Sequence, residues 1–343
     1  MNPATEPHPE TAEPPQDVIV SPAELFPRLL RVRFLLEVQR DCRLPPYAGS
    51  MLRGLLGHGL RGAVCVTGAR RCDGCLLQHH CFYSRFFESP VADGELAQRF
   101  SATPHPWVLE PPQRLPRQLP GGGRIDFSLL ILGESASHLA YLVHALQRTG
   151  ARGLGRDNTP FRLADVAWER TLGTGQWQSC YDPDSGTLET VGLTAWPALQ
   201  PPPGRWRLRL ITPLRMKRHG RLMGPRDFDP AFWLHSAGQR IRLLHRLYGA
   251  RDTAIPVLPD PQAIADGAIV EQRLRWHDWT RYSSRQRTRM QMGGLVGELL
   301  LDGQRLAPWW PWLWAAQWLH LGKQTAMGLG QFRIETENHD GKD

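Results

Sequence analysis

Lysine is nearly absent from this chain of 343 residues: of its 41 Lys and Arg, only Lys217, Lys323 and Lys342 are lysine. The formal charge of +8, with a pI near 9.5, is therefore carried by guanidinium groups. Guanidinium forks onto phosphates and stacks on flat rings, so this balance points to a polyanionic partner. No apolar run reaches the roughly 20 residues that a membrane span needs, and no hydrophobic leader opens the chain. A soluble cytosolic protein with no membrane partner is expected. No cluster of Asp and Glu stands out, which disfavours chemistry on carboxylate-bound metal ions. The pair Gly322-Lys323 is not a Walker phosphate loop, because Gln324 stands where Ser or Thr is required and Gln317 where a glycine is.

What the chain does have is a glycine-rich segment that occurs twice. The first copy runs from His144 through Gly150, Arg152, Gly153, Gly155 and Arg156 to Phe161. The second runs from Trp318 through His320, Gly322, Lys323, Gly328, Gly330 and Gln331 to Phe332. Each reads amphipathic helix, glycine, basic residue, Gly-Leu-Gly, strand. Glycines there permit positive φ and let a large ligand lie on the peptide groups.

The repeat sets the architecture. Residues 1–25, rich in Pro and Glu, read as a disordered tail. A first domain over 26–170 carries a Cys-rich insertion at about 65–90, 171–203 reads as a linker, and a second domain spans 204–338. In the first domain, strands are expected from Leu29, over Trp107 to Arg114, Arg124 to Leu132 and Phe161 to Trp168, with helices over Ser50 to Val64 and Ser135 to Arg148. The four glycines of the first helix weaken it, at roughly 1 kcal/mol each relative to alanine. In the second, strands are expected over Arg205 to Leu214, Arg273 to Tyr282, Gly293 to Leu301 and Gln331 to Glu335, with helices over Pro230 to Tyr248 and Pro308 to Leu321. Both halves read βαββαβ, so the fold class is α+β: two tandem ferredoxin-like domains. The tryptophans at 309, 310, 312, 314 and 318 fall at helical spacing and read as core.

Four blocks carry a family resemblance. They are Trp279-Thr-Arg281-Tyr282-Ser-Ser-Arg285-Gln with Met292-Gly-Gly-Leu-Val-Gly297, the second glycine loop, Thr212-Pro213-Leu214-Arg-Met-Lys217 opening the second half, and Tyr47-Ala-Gly-Ser-Met-Leu-Arg53-Gly-Leu-Leu-Gly-His58 in the first half. With them, over roughly residues 28 to 336, the chain resembles the CRISPR repeat-processing endoribonucleases. These form the sixth CRISPR-associated family of the RAMP superfamily. The resemblance implies cleavage of precursor CRISPR RNA by 2′-hydroxyl attack, with no cofactor for catalysis. It implies repeat RNA as partner, with other Cas proteins of an effector complex as further candidates. It also carries an alternative, a non-catalytic RNA-holding subunit.

For that chemistry His58 is the matching proton carrier, Tyr47 would orient the hydroxyl, and Lys323 would stabilise the phosphorane. Expected RNA contacts are Arg53, Arg152, Gly153, Gly155, Arg156, Lys217, Arg218, Arg221, Arg281, Tyr282, Arg285, Arg287, His320, Gly322, Gly328, Gly330 and Gln331. Cys65, Cys72, Cys75 and Cys81 hold a C-x₂-C with a Gly knuckle and two flanking thiols, a donor set suited to structural zinc. An iron–sulfur cluster or a metal-free insertion is the alternative. Cys42 and Cys180 read as plain thiols.

Overall fold

The computed structural model describes residues 26–91, 103–155, 157–250, 257–283 and 288–337, of which 280–283 and 288–291 are described by their backbone alone. The expected N-terminal tail and Arg156 lie outside the described residues.

The first half builds a five-stranded antiparallel sheet. Its strands are β1 (Leu29–Val38), β2 (Trp107–Glu110), β3 (Arg124–Leu132), β4 (Phe161–Glu169) and β5 (Trp177–Ser179), ordered β2-β3-β1-β4-β5. The helices α1 (Gly49–Val64) and α2 (Leu139–Thr149) pack together on one face. Alternation fixes β1: Val32, Phe34, Leu36 and Val38 point into the core, while the residues between them are half-buried. β2 stops at Glu110, short of Arg114, because Pro111 and Pro112 cannot continue the ladder. The stretch read as linker supplies β5, pairing Trp177 with Glu169, and Thr194 bridges to Leu29.

The glycines of α1 have a packing reason. A Cβ on Gly59 would come within 3.0 Å of Thr149 Oγ1 and the Ala145 carbonyl of α2, and one on Gly57 would strike the Phe87 ring. Their absence lets α1 sit close on its neighbours while Leu52, Leu55, Leu56 and Leu60 fill the core.

The second half repeats the plan with β6 (Arg205–Leu214), α3 (Pro230–Tyr248), β7 (Ile269–Ser283), β8 (Thr288–Asp302), α4 (Trp310–Leu319) and β9 (Phe332–Thr336). Its sheet order, β7-β8-β6-β9, matches the first four strands of the other half, so both are ferredoxin-like. Asp229 caps α3, accepting from Phe232 N at 3.1 Å, and Pro230 opens it.

The two halves share one apolar cluster. Leu29, Val108, Leu130 and Leu132 of the first sheet pack in the same core as Trp309, Trp312 and Trp318, and Phe26 meets the Trp312 ring edge-on at 6.2 Å. Those tryptophans are buried and do not form a stacking platform for bases. No helix among the described residues is long and apolar enough to cross a membrane.

Candidate functional site

The second glycine loop, residues 320–331, is wedged between the halves. On one side Lys323 N donates to the Arg215 carbonyl at 2.8 Å, tying the loop to the end of β6. On the other side Tyr47 donates its hydroxyl to the Met327 carbonyl at 2.6 Å, and Ser50 Oγ lies 3.7 Å from Met327 Sδ. From beneath, Arg240 of α3 donates to the Leu319 carbonyl at 2.8 Å and to Thr325 Oγ1 at 3.2 Å. Burial pushes the Arg240 guanidinium down to about 10. The loop is therefore pinned by both halves before any ligand arrives.

Its glycines also answer to the protein's own packing. Gly328 (φ 81°) and Gly330 (φ 78°) hold left-handed conformations. A Cβ on Gly328 would overlap Pro111, and one on Gly330 would overlap the Leu321 carbonyl. Gly322 likewise faces the Arg215 carbonyl, Gly153 the Asn158 carbonyl, and Gly155 Arg43 with Cys42.

Behind the loop lies a buried charge network. Glu110 accepts from Arg31 Nε at 2.7 Å, from Gln331 Nε2 at 3.2 Å and from Arg333 Nη2 at 3.2 Å. Arg31 also donates to Glu169 at 2.7 Å, and Arg31 and Arg333 lie 4.5 and 3.9 Å from the Trp318 ring centroid. Burial raises the Glu110 carboxyl, but Arg31 and then Arg333 overcome it and hold the group below the usual carboxylate range. Gln331, 3% exposed, and His320, 0% exposed, belong to this interior, and burial pushes His320 down to about 3. Both were expected as RNA contacts, and their burial removes that role.

Tyr47 needs a second correction. Its hydroxyl is spent on Met327, its ring packs on Trp279 at 4.8 Å, and burial pushes the phenol far above its ordinary value. It works as a strut between halves and has no hydroxyl free to orient a ribose.

The outward-facing residues are different in kind. Lys323, Lys217, Arg218 and Arg221 are exposed, the last three on a two-stranded hairpin, Lys217–Arg218 with Arg221–Leu222, that directly follows β6. The tie between Lys323 and Arg215 sets the loop lysine beside that hairpin, with Arg218 sharing its charge with Asp229. Arg152 is exposed on the first-half loop. Arg281 and Tyr282 fall near the tip of the β7–β8 hairpin, in register with Met290 and Arg289. Arg285 and Arg287 lie outside the described residues.

His58 is exposed on α1, with Gly54 and Gly62 one turn to either side open to solvent. The loop meets α1 at its first residues, Gly49 and Ser50. His58 stands nine residues on, about 13 Å along the axis at 1.5 Å per residue. Arg53 leans over the Phe87 ring at 4.4 Å.

Arg240 and His105 both escaped sequence reasoning. His105, just ahead of β2, has Nδ1 2.8 Å from Ser89 Oγ and Nε2 3.4 Å from Arg53 Nη2. Burial, with Arg53 and Arg240 nearby, pushes it down to about 4, so it stays neutral at physiological pH. Nothing in its sequence neighbourhood, Pro104-His105-Pro106, signals this position.

The four cysteines Cys65, Cys72, Cys75 and Cys81 are unpaired and line one cavity at the end of α1. As they stand, no group of three or more His, Cys, Asp or Glu among the described residues is arranged to hold a metal ion.

Comparison with known proteins completes the picture. Residues 26–192 match a family model described as an N-terminal domain, and residues 208–332 match the CRISPR-associated endoribonuclease Cas6. An uncharacterized protein of Archaeoglobus fulgidus is 21% identical over 300 residues, 85% of this chain and 93% of its own length. Among solved structures, a partial Cas6-RT-Cas1–Cas2 complex superposes at a TM-score of 0.50 with 11% identity, covering 92% of this chain and 48% of that one. A Cas6 product complex covers 90% of this chain and 99% of its own, at a TM-score of 0.49 and 19% identity. The segment that matches the Cas6 endoribonuclease model, residues 208–332, is the one that holds the pinned loop and the cationic hairpin.

Proposed function

We propose that this chain cuts precursor CRISPR RNA once in each repeat, without a metal ion in the reaction. The 2′-hydroxyl at the cut site loses its proton to a base and its oxygen attacks the adjacent phosphorus. The bond to the 5′-oxygen breaks, and that oxygen takes a proton from an acid. The products are a 2′,3′-cyclic phosphate and a 5′-hydroxyl, and no water is consumed.

The observation that carries the reading is the lysine loop pinned between two ferredoxin-like halves beside an exposed cationic hairpin, within the segment that matches Cas6. In this reading Lys323 meets the charge of the pentavalent phosphate, and Lys217, Arg218 and Arg221 hold flanking phosphates. His58, exposed on α1, is the proton carrier in this reading, free to meet a strand lying along that helix. The buried network under the loop keeps the scaffold rigid, so phosphate binding costs little reorganisation. Repeat RNA is the expected partner, and other Cas proteins are candidates for the remaining surface.

A second reading, a subunit that holds guide RNA without cutting it, draws on the separation between His58 and the loop. The full chain should be tested on its neighbouring repeat RNA, beside His58→Ala and Lys323→Ala. Cutting by the wild type that His58→Ala abolishes, with binding retained, supports the enzyme. Tight binding with no cutting by the wild type supports the holder.

A further inference from the structure

We propose that Cys65, Cys72, Cys75 and Cys81 bind one zinc ion as four thiolates, and that this ion fastens the insertion to the end of α1. The starting point is convergence. The four thiols sit on three separate turns, yet all line a single cavity between the last residues of α1 and the helical turn Ser84–Glu88. Cys65 is the C-cap of α1, its N–H bonded to the Arg61 carbonyl at 3.0 Å. Cys81 lies three residues before Ser84, and its carbonyl accepts from Arg85 N at 3.0 Å. A metal here would therefore tie one helix end to the next.

The backbone around the thiols has the shape that metal-bound sulfur needs. Between Cys72 and Cys75 the chain reverses tightly: Cys75 N donates to the Cys72 carbonyl at 3.0 Å, and Gly74 takes a φ of 73°. This brings both thiols to one side. Thr67 Oγ1 lies 3.9 Å from Cys65 Sγ and 3.6 Å from Cys75 Sγ, so the two knuckles already adjoin. The sulfurs do not stand as a group that could hold a metal as they are, so binding requires them to draw together on the cavity's centre, to Zn–S distances of about 2.3 Å.

The insertion also lacks another means of holding its shape. Residues 66–80 form turns only, and Val66 and Leu76 are 83% and 84% exposed. A segment that buries so little needs a staple. Four sulfur donors with no carboxylate among the cavity residues suit zinc and exclude the hard cations. Binding releases the thiol protons and forms four Zn–S bonds, with no change of oxidation state.

The inference does not depend on the RNA-processing reading, and its test does not read cleavage. The full chain, purified reduced, is expected to carry one zinc per chain by elemental analysis. After chelation, cobalt(II) should give thiolate-to-metal charge-transfer bands and the intense visible bands of a tetrahedral site. Cys72→Ser and Cys75→Ser should lose the zinc and those bands, while Cys42→Ser and Cys180→Ser keep both. Hydrogen exchange in the last turns of α1 should quicken when zinc is removed from the wild type. Wild-type protein that holds no zinc and gives no cobalt bands would overturn the proposal. So would iron with inorganic sulfide in the same cavity, or disulfides among the four cysteines.

Discussion

Replacing Glu110 with glutamine should destabilise the chain by about 3 kcal/mol while leaving its shape almost unchanged. The carboxylate is 6% exposed and serves Arg31, Arg333 and Gln331 at 2.7 to 3.2 Å. Removing one partner of a buried ion pair typically costs about 3–5 kcal/mol, because the other charge stays buried. Two features pull the figure toward the lower end. Arg31 keeps Glu169 at 2.7 Å, and the Arg333 side chain is 21% exposed, so water takes up part of its charge. The amide oxygen of glutamine also retains one acceptor. Urea unfolding of wild type and Glu110→Gln at neutral pH, with the slope held in common, measures the difference. Glu37→Gln is the control, since Glu37 pairs with Arg124 and Arg162 at the surface and its loss should shift the midpoint little. A Glu110→Gln midpoint no lower than that of Glu37→Gln would refute the claim that this network clamps the halves.

Other consequences are equally direct. Burial depresses the imidazoles of His320, to about 3, and His105, to about 4, so the unfolded chain binds their protons first as pH falls. Stability should be level above pH ~6.5 and fall below it by about 1.4 kcal/mol per pH unit for each histidine. A His105→Asn chain should lose one histidine's share of that slope in acid denaturation curves. Gly330→Ala, at φ 78° and facing the Leu321 carbonyl, should lose about 2 kcal/mol or more, seen as a lowered melting temperature. Tyr47→Phe should cost about 1–2 kcal/mol through the lost bond to Met327, and cleavage should survive in single-turnover assays. Lys323→Ala should lower the log–log salt slope of RNA binding by about 0.7.

Much of the fold was legible because alternation and caps are local. β3 and β6 run over Arg124–Leu132 and Arg205–Leu214, and α3 over Pro230–Tyr248, where apolar spacing and turn residues place them. β5 was not legible: three residues, Trp177–Ser179, carry too little pattern, and only the free edge of β4 calls them into the sheet. The helix ahead of the first loop begins at Leu139, after a 3₁₀ turn over Gly133–His138, where the sequence shows only a continuous helical period. At the site, the sequence shows that the loop holds glycines and polar groups but not which way they face. His320 and Gln331 flank the loop as an RNA contact would, yet both turn inward toward Glu110 from the other half. Arg240 and His105 reach the site only through tertiary packing.

The most direct test of the account is one cleavage reaction. The full chain, in excess EDTA, is given its neighbouring repeat RNA beside the same RNA carrying a single 2′-deoxy nucleotide at the cut site. The account predicts one defined cut in the all-ribose RNA, a 2′,3′-cyclic phosphate on the upstream product, and no cut in the deoxy substrate. Cutting that needs added metal, or that persists with the 2′-hydroxyl removed, would contradict it.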